Sequence, residues 1–348
     1  MIGQDERMLS VRPLLVLLCC LAASCLAPRP RLDVHWRVFE TGAAASLRGI
    51  APVSRSTCYV GGAAGSLRKT VDAGRSWVDV APPGCGDCDF RDLEVIGDDV
   101  VMALVAGAPA RLYRSADRGA TWRCVYEDPR ADAFLDAMAF KGNNGVVFGD
   151  AIGGRFVLLA TSDGGASWRD VPSPGLPVPA AGEAAFAASG TCVSVGPTSF
   201  ALVTGGDRCR YIAFAPGKRP FSVDLPMLNG AASRGAFSVA WRGQRGVCVG
   251  GDYRDPDAKA GSAAVTTDGG RTWAPSDAGG YRSCALWISD RDVLAVGPRG
   301  ASWSEDAGRT YADFGAEAFH SVAQAPDGAV WACGARGRAG TLSSTAVR

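Results

Sequence analysis

Short apolar stretches bounded by glycine recur along the whole chain. Residues 57–61, 145–149, 246–250 and 293–297 read TCYVG, GVVFG, GVCVG and VLAVG, each a strand that ends in glycine. A second set lies upstream, at residues 47–51, 90–94, 135–139, 281–285 and 319–323, and a further strand such as residues 77–80 follows. The pattern predicts many short strands joined by tight turns. Composition agrees with it. The 348 residues include 45 Gly and 20 Pro, which supply turns, and 47% are hydrophobic, which supplies a core and excludes wholesale disorder.

An eight-residue motif organises these strands. Thr70, Asp72, Gly74, Ser76 and Trp77 recur as Ser115, Asp117, Gly119, Thr121 and Trp122, and as Thr161, Asp163, Gly165, Ser167 and Trp168. They return as Thr266, Asp268, Gly270, Thr272 and Trp273, and as Ser304, Asp306, Gly308, Thr310 and Tyr311. The aspartates are spaced 45, 46, 105 and 38 residues apart, so a degenerate copy is expected in the long gap. Asp in a tight turn accepts backbone N–H groups of its own loop, and Gly supplies a left-handed position. The aromatic residue re-enters a strand beneath the turn. Each aspartate stands alone in its turn, whereas a calcium site needs several converging oxygens, so the motif is read as scaffold. Four strands in about 45 residues make a propeller blade.

Units begin near residues 46, 89, 134, 182, 236, 280 and 318. The expected fold is therefore all-β, a seven-bladed propeller of four-stranded antiparallel blades, with eight blades the weaker alternative. The fourth unit lacks the motif and the seventh lacks a fourth strand. Residues 35–41 form a spare strand that can complete the seventh blade and close the ring.

Charge and cysteine content narrow the class. With 36 Lys+Arg against 35 Asp+Glu, the net charge of +1 gives no sign of a nucleic-acid partner. Two histidines exclude a His-rich metal site, and no cofactor is implied. Residues 14–23, LLVLLCCLAA, follow Arg12 and are too short to span a bilayer, as in a signal sequence. They run into Leu21-Ala22-Ala23-Ser24-Cys25, which resembles a bacterial lipobox; cleavage near Ala23 without lipid is the alternative reading. The acidic residues Asp5 and Glu6 are unusual before such a run, and a start at Met8 instead of Met1 removes them. The expected organisation is a signal at 1–25, a Pro-stiffened tether at 26–33 and one propeller at 34–348. The chain is expected to be exported, held by lipid on Cys25 at the periplasmic or cell-surface face of a bacterial membrane. Of 12 cysteines, Cys19 and Cys20 leave with the signal and Cys25 carries lipid, so nine remain and at least one is unpaired within the chain. Cys85 and Cys88 read as a local disulfide or two thiols rather than a redox centre, and a Cys192–Cys209 pair stays open.

The innermost strands should line the channel mouth. Their shared pattern puts Arg48, Arg91, Asp136, Glu183, Phe237, Arg282 and His320 there, one per blade, with Glu183 fitting loosely. Tyr253, Arg254 and Tyr281 form the expected rim. Two readings are open: the charges pair around the axis and hold the blades together, or the arginines bind an anionic group. Asp252, Asp255 and Asp257 read as a solvated loop, with a cation site as the sharper alternative.

The motif resembles the Asp-box (BNR) repeat of β-propellers, a class that shares the radial plan of WD40/YVTN-like repeats. Two families carry it. Sialidases add an arginine triad, a Tyr/Glu pair and an Asp acid/base, which Arg48, Arg91, Arg282, Glu183 and Asp136 imitate in part. Their Arg-Ile-Pro motif is replaced here by Arg48-Gly49-Ile50-Ala51-Pro52, and no Tyr stands beside Glu183. Almost the whole mature chain is more similar to the photosystem II stability/assembly-factor-like propellers. The supporting segments are residues 46–49, 89–92, 134–137, 148–150, 154–156 and 250–254. That resemblance implies a non-enzymatic factor that engages a membrane protein through a basic patch. Gly334-Ala335-Arg336-Gly337-Arg338-Ala339-Gly340 lacks the strand–turn–helix setting of a dinucleotide fingerprint. The leading expectation is a monomeric binding or assembly module for an envelope or membrane protein, or for a small anionic or carbohydrate ligand in the funnel. The alternative is a glycoside hydrolase or lyase acting through Glu183 and Asp136 on an anionic sugar.

Overall fold

The computed structural model describes residues 32–171, 176–197, 200–215 and 217–346. The expected signal, Cys25 as its expected lipidation site and nearly all of the expected tether lie outside the described residues. Val34–Ser343 form one compact unit.

Seven antiparallel sheets are arranged as propeller blades. Blade 1 comprises Leu47–Pro52, Cys58–Gly62, Leu67–Thr70 and Val78–Asp79, paired in that order. Blades 2, 3 and 6 repeat this meander from Phe90–Ile96, Leu135–Lys141 and Cys284–Trp287. In blade 7, Ser321–Gln324, Val330–Cys333 and Arg338–Ala346 are followed outward by Leu32–Glu40. The predicted closing strand thus joins the two ends of the chain, and the Thr41 N–H and hydroxyl both donate to the Gly337 carbonyl, at 3.0 and 2.8 Å.

Burial explains the pattern of the sequence. The second strands, such as Cys58–Gly62 and Val293–Gly297, are buried at every position because blades pack on both faces. The outer strands Val78–Asp79 and Arg169–Asp170 are exposed throughout. The core is a series of interblade layers. One sets Met102, Leu104 and Leu112 of blade 2 against Leu135, Met138 and Val147 of blade 3.

The five motif turns share one bonding pattern, between the third and fourth strands of their blades. In blade 1, Asp72 Oδ1 accepts the Ser76 N–H at 2.9 Å and Oδ2 accepts its hydroxyl at 2.6 Å, while Thr70 Oγ1 accepts the Gly74 N–H at 3.0 Å. The motif glycine is left-handed and seated on the preceding blade: Gly270 has φ +86°, and a Cβ there would lie 2.4 Å from the Tyr211 ring. Blade 7 has no such turn because its third and fourth strands come from opposite ends of the chain.

Blade 4 departs from expectation. Its inner strand is Val193–Val195, not the segment starting near 182, and Phe200–Val203, Arg210–Phe214 and Phe221–Asp224 follow. Glu183–Ala184 pairs instead with Gly205–Gly206, and together they extend the sheet of blade 5 beyond its first strand, Ala231–Arg242. The nine cysteines from Cys58 to Cys333 are all free thiols, so neither Cys85–Cys88 nor Cys192–Cys209 is bridged.

Candidate functional site

The inner strands begin with a device that the pattern did not reveal. In blades 1, 2, 3 and 5 the pairing register shifts at the aligned residue, between Leu47 and Gly49, Phe90 and Asp92, Leu135 and Ala137, and Ala236 and Ser238. Arg48, Arg91, Asp136 and Phe237 are therefore the extra residues of β-bulges, which turn their side chains out of the ladder. In four blades the residue after the aligned position stitches neighbouring blades around the axis. Ser283 donates to the His320 carbonyl at 2.6 Å, and Ser321 donates to the Arg48 carbonyl. Asp92 Oδ2 accepts the Met138 N–H at 2.7 Å, and Ser238 Oγ accepts the Ala285 N–H at 3.1 Å. The pattern of charged residues does not reveal these groups; the Ser or Asp that follows the aligned residue in blades 2, 5, 6 and 7 is the signal that could have found them.

Arg48, Arg91 and His320 stand close enough for their charges to act on one another. Burial, and then the neighbouring Arg48 and Arg91 charges, push the His320 imidazole down to about 4. Arg48 is likewise depressed by burial and by Arg91. The two arginines are not equivalent. Arg91 Nε is paired with Asp89 at 2.6 Å, whereas no carboxylate makes an ion pair with Arg48 among the described residues. Both are capped by one segment of the chain. Arg48 Nη1 donates to the Ala188 carbonyl at 3.2 Å and Arg91 Nη1 to the Ala187 carbonyl at 2.9 Å. Close by, Asp136 is 1% exposed and neither carboxylate oxygen has a well-formed hydrogen bond. Burial, reinforced by Asp150 and opposed by Arg91, holds its carboxyl well above the usual range.

Beyond the mouth the axis opens into a cavity of about 290 Å³ lined by Ile50, Glu94, Phe140, Ser194 and Gln324. Burial pushes the Glu94 carboxyl there up to about 8. Among the described residues, no group of three or more His, Cys, Asp or Glu is placed to hold a metal. Asp252, from the acidic loop, is instead paired with Arg234 at 2.9 Å.

Several expected site residues stand elsewhere. Glu183 is outside the funnel: its side chain is fully buried, accepting Arg210 at 2.7 Å on both oxygens, together with Thr204 Oγ1 and the Ala180 N–H. It is committed to a structural ion pair, so the Glu183–Asp136 catalytic pair is not assembled. Gly190, directly before Thr191, takes the lead position in blade 4 and has no side chain to contribute. Arg282 turns into its own blade, with Nε and Nη2 on Ser302 Oγ at 3.0 and 2.7 Å. The rim is aromatic: Phe186 stacks on Phe237 at 3.7 Å, and Tyr281 and Tyr253 meet Phe237 edge-on at 4.8 and 6.3 Å. Tyr281 is buried, whereas Tyr253 is 45% exposed. Arg254 is exposed and its N–H donates to Asp252 Oδ1.

No protein family and no curated protein sequence matches this chain. Solved structures do. YCF48 bound to D1 peptide is 16% identical with a TM-score of 0.62, over 91% of this chain and 98% of that one. YCF48 from Cyanidioschyzon merolae is 14% identical with a TM-score of 0.63, over 88% and 98%. The WD40 domain of Pan2 from Neurospora crassa is 13% identical with a TM-score of 0.58, over 92% and 97%. At these identities the likeness is one of fold, and the chain is a seven-bladed propeller similar over most of its length to both YCF48 and WD40 structures.

Proposed function

We propose that this chain is a non-enzymatic, exported binding module, anchored through Cys25, that holds a segment of an envelope or membrane protein at its arginine mouth. The observation that carries this reading is Arg48. A half-buried guanidinium that meets only a neutral carbonyl, with Arg91 and His320 beside it, is matched by an incoming carboxylate. The fold-level likeness to YCF48, one structure of which holds a D1 peptide, supports a protein segment as the occupant in preference to a free anionic sugar. The protein acts as a monomer, because one ring contains the whole mouth.

Affinity capture of the tagged chain from membranes tests the reading. The wild type is expected to retain a membrane protein, and Arg48→Ala with Arg91→Ala to lose it while still folding. Capture of no partner, together with turnover of a sialoside or uronide panel, overturns it. Cys25→Ala should leave the membrane fraction and fail to incorporate palmitate; unchanged membrane association removes the anchor from the proposal.

A further inference from the structure

The segment from Gly182 to Gly190 closes the arginine mouth with this chain's own residues. It is tied at both ends, by the Glu183–Arg210 pair and by the Ser189 hydroxyl donating to the Ser283 carbonyl at 2.8 Å. Its end glycines are left-handed, with φ of +68° and +75°, conformations that other residues rarely adopt. Between them Ala185, Ala187 and Ala188 are buried, and Phe186 is the single large apolar side chain, laid on Phe237 at an interplanar angle of 9°. The Ala188 N–H turns back onto the Phe186 carbonyl at 2.7 Å, which leaves the Ala187 and Ala188 carbonyls to Arg91 and Arg48. The segment therefore presents an aromatic anchor followed by two oxygen acceptors.

The closed arrangement is poised. Alanines bury little area, so between its tied ends the segment is held by one stacked ring and by its backbone: the Ala187 and Ala188 carbonyls accept from Arg91 and Arg48, and the Ala187 and Ala185 N–H groups face Asp136 and Asp150. A carboxylate offers the same guanidinium groups an ion pair that can be bidentate, two parallel hydrogen bonds in place of the single bond each makes to a carbonyl.

We propose that residues 182–190 are a tethered pseudo-ligand, displaced by a partner segment of the same form: an aromatic side chain followed within two residues by a carboxylate. This rests on the arginine mouth being the partner site. The carboxylate comes from a free chain terminus or from an acidic side chain, and the test separates the two.

Fluorescence anisotropy on the whole mature chain uses a labelled peptide ending in Gly-Phe-Ala-Ala with a free terminus. A second, amidated peptide carries Asp as its last residue, and a third is amidated and has no carboxylate. The first, the second or both bind the wild type weakly, and the third does not bind. Phe186→Ala tightens binding about tenfold, because the competing closed state is depopulated. Hydrogen exchange of residues 184–188 rises when the peptide is added. Unchanged affinity in Phe186→Ala with unchanged exchange overturns the pseudo-ligand, and equal binding of the third peptide overturns the carboxylate. If no peptide binds while membrane capture still needs Arg48 and Arg91, the pseudo-ligand fails and the arginine mouth stands. If capture is also indifferent to the arginines, both readings fail.

Discussion

Blade 3 joins its third and fourth strands through Asp163, whereas its neighbour, blade 4, has no such turn and is tied by Glu183 and Arg210. The Asp163 staple is local: Oδ1 and Oδ2 accept from Ser167, four residues away, at 3.0 and 2.6 Å. The blade 4 tie is non-local and dry. It joins side chains 4% and 0% exposed and links blade 4 to the extended sheet of blade 5. A solvated staple can be copied wherever a turn recurs, because its hydrogen bonds lie within one loop. A buried ion pair needs converging segments, and here it also holds one end of the segment that closes the mouth. Repetition builds the ring, and the site grows where repetition is broken.

The comparison breaks most sharply at Glu183. Glu183→Ala leaves Arg210 charged and unpaired in the interior and is expected to cost about 3–5 kcal/mol, measured by urea unfolding. Replacing both residues by methionine should cost less, and an unchanged midpoint in the single variant would show that the pair does not tie the blades. Next comes Gly165→Ala in blade 3, expected to cost about 2 kcal/mol. The residue is left-handed at φ +78°, and its new Cβ would press on Met102 Sδ at 2.7 Å. Asp163→Ala should cost only about 1 kcal/mol, the worth of exposed hydrogen bonds. Equality with Glu183→Ala would erase the distinction between the two ties.

Acid sharpens the same contrast. Hydrogen bonds from Ser76, Thr121 and Thr272 lower the Asp72, Asp117 and Asp268 carboxyls to about 2. Their contribution is present above the ordinary carboxylate range and is lost as the pH falls toward 2. The smallest effect belongs to the mouth. The fold pushes the His320 imidazole down to about 4, against about 6.5 for a free imidazole, so the unfolded chain binds the extra proton between these values. Stability contributed at this site is full above that window and falls as pH drops through it. Proton NMR should find His320 neutral at pH 5, and His320→Gln should flatten the slope; a charged imidazole at pH 5 would move His320 out from between the arginines.

Much of this architecture was legible along the chain. The five turns announced themselves because Asp, Gly and the hydroxyl residue bond within eight positions. The closing strand at Leu32–Glu40 was legible because the last blade lacked one. Arg48, Arg91 and His320 begin three strands of one pattern, and in the fold the two arginine charges act on the His320 imidazole. Glu183 was misplaced because Gly182-Glu183-Ala184-Ala185 imitates that pattern while the true inner strand of blade 4, Val193–Val195, starts later. Arg282 matched the pattern perfectly and still turned away, because Ser302 of its own blade offered its guanidinium an acceptor. The closing segment was invisible, since alanines carry no chemical signature.

Local periodicity and turn chemistry by themselves determined the number of blades, the closure of the ring and the positions of the staples. The staples depend on bonds among residues close in sequence, repeated from blade to blade, and the closure on the strand that the last repeat lacks, although its bonds span 296 residues. Only the tertiary structure decided which charged residues meet, which one is locked away and what occupies the mouth. Those outcomes arise where strands from distant parts of the chain converge on one axis: Arg48 meets Ala188, 140 residues away, and Ser321 reaches Arg48 across 273. At such distances the direction of a side chain is set by bulges, neighbouring acceptors and burial.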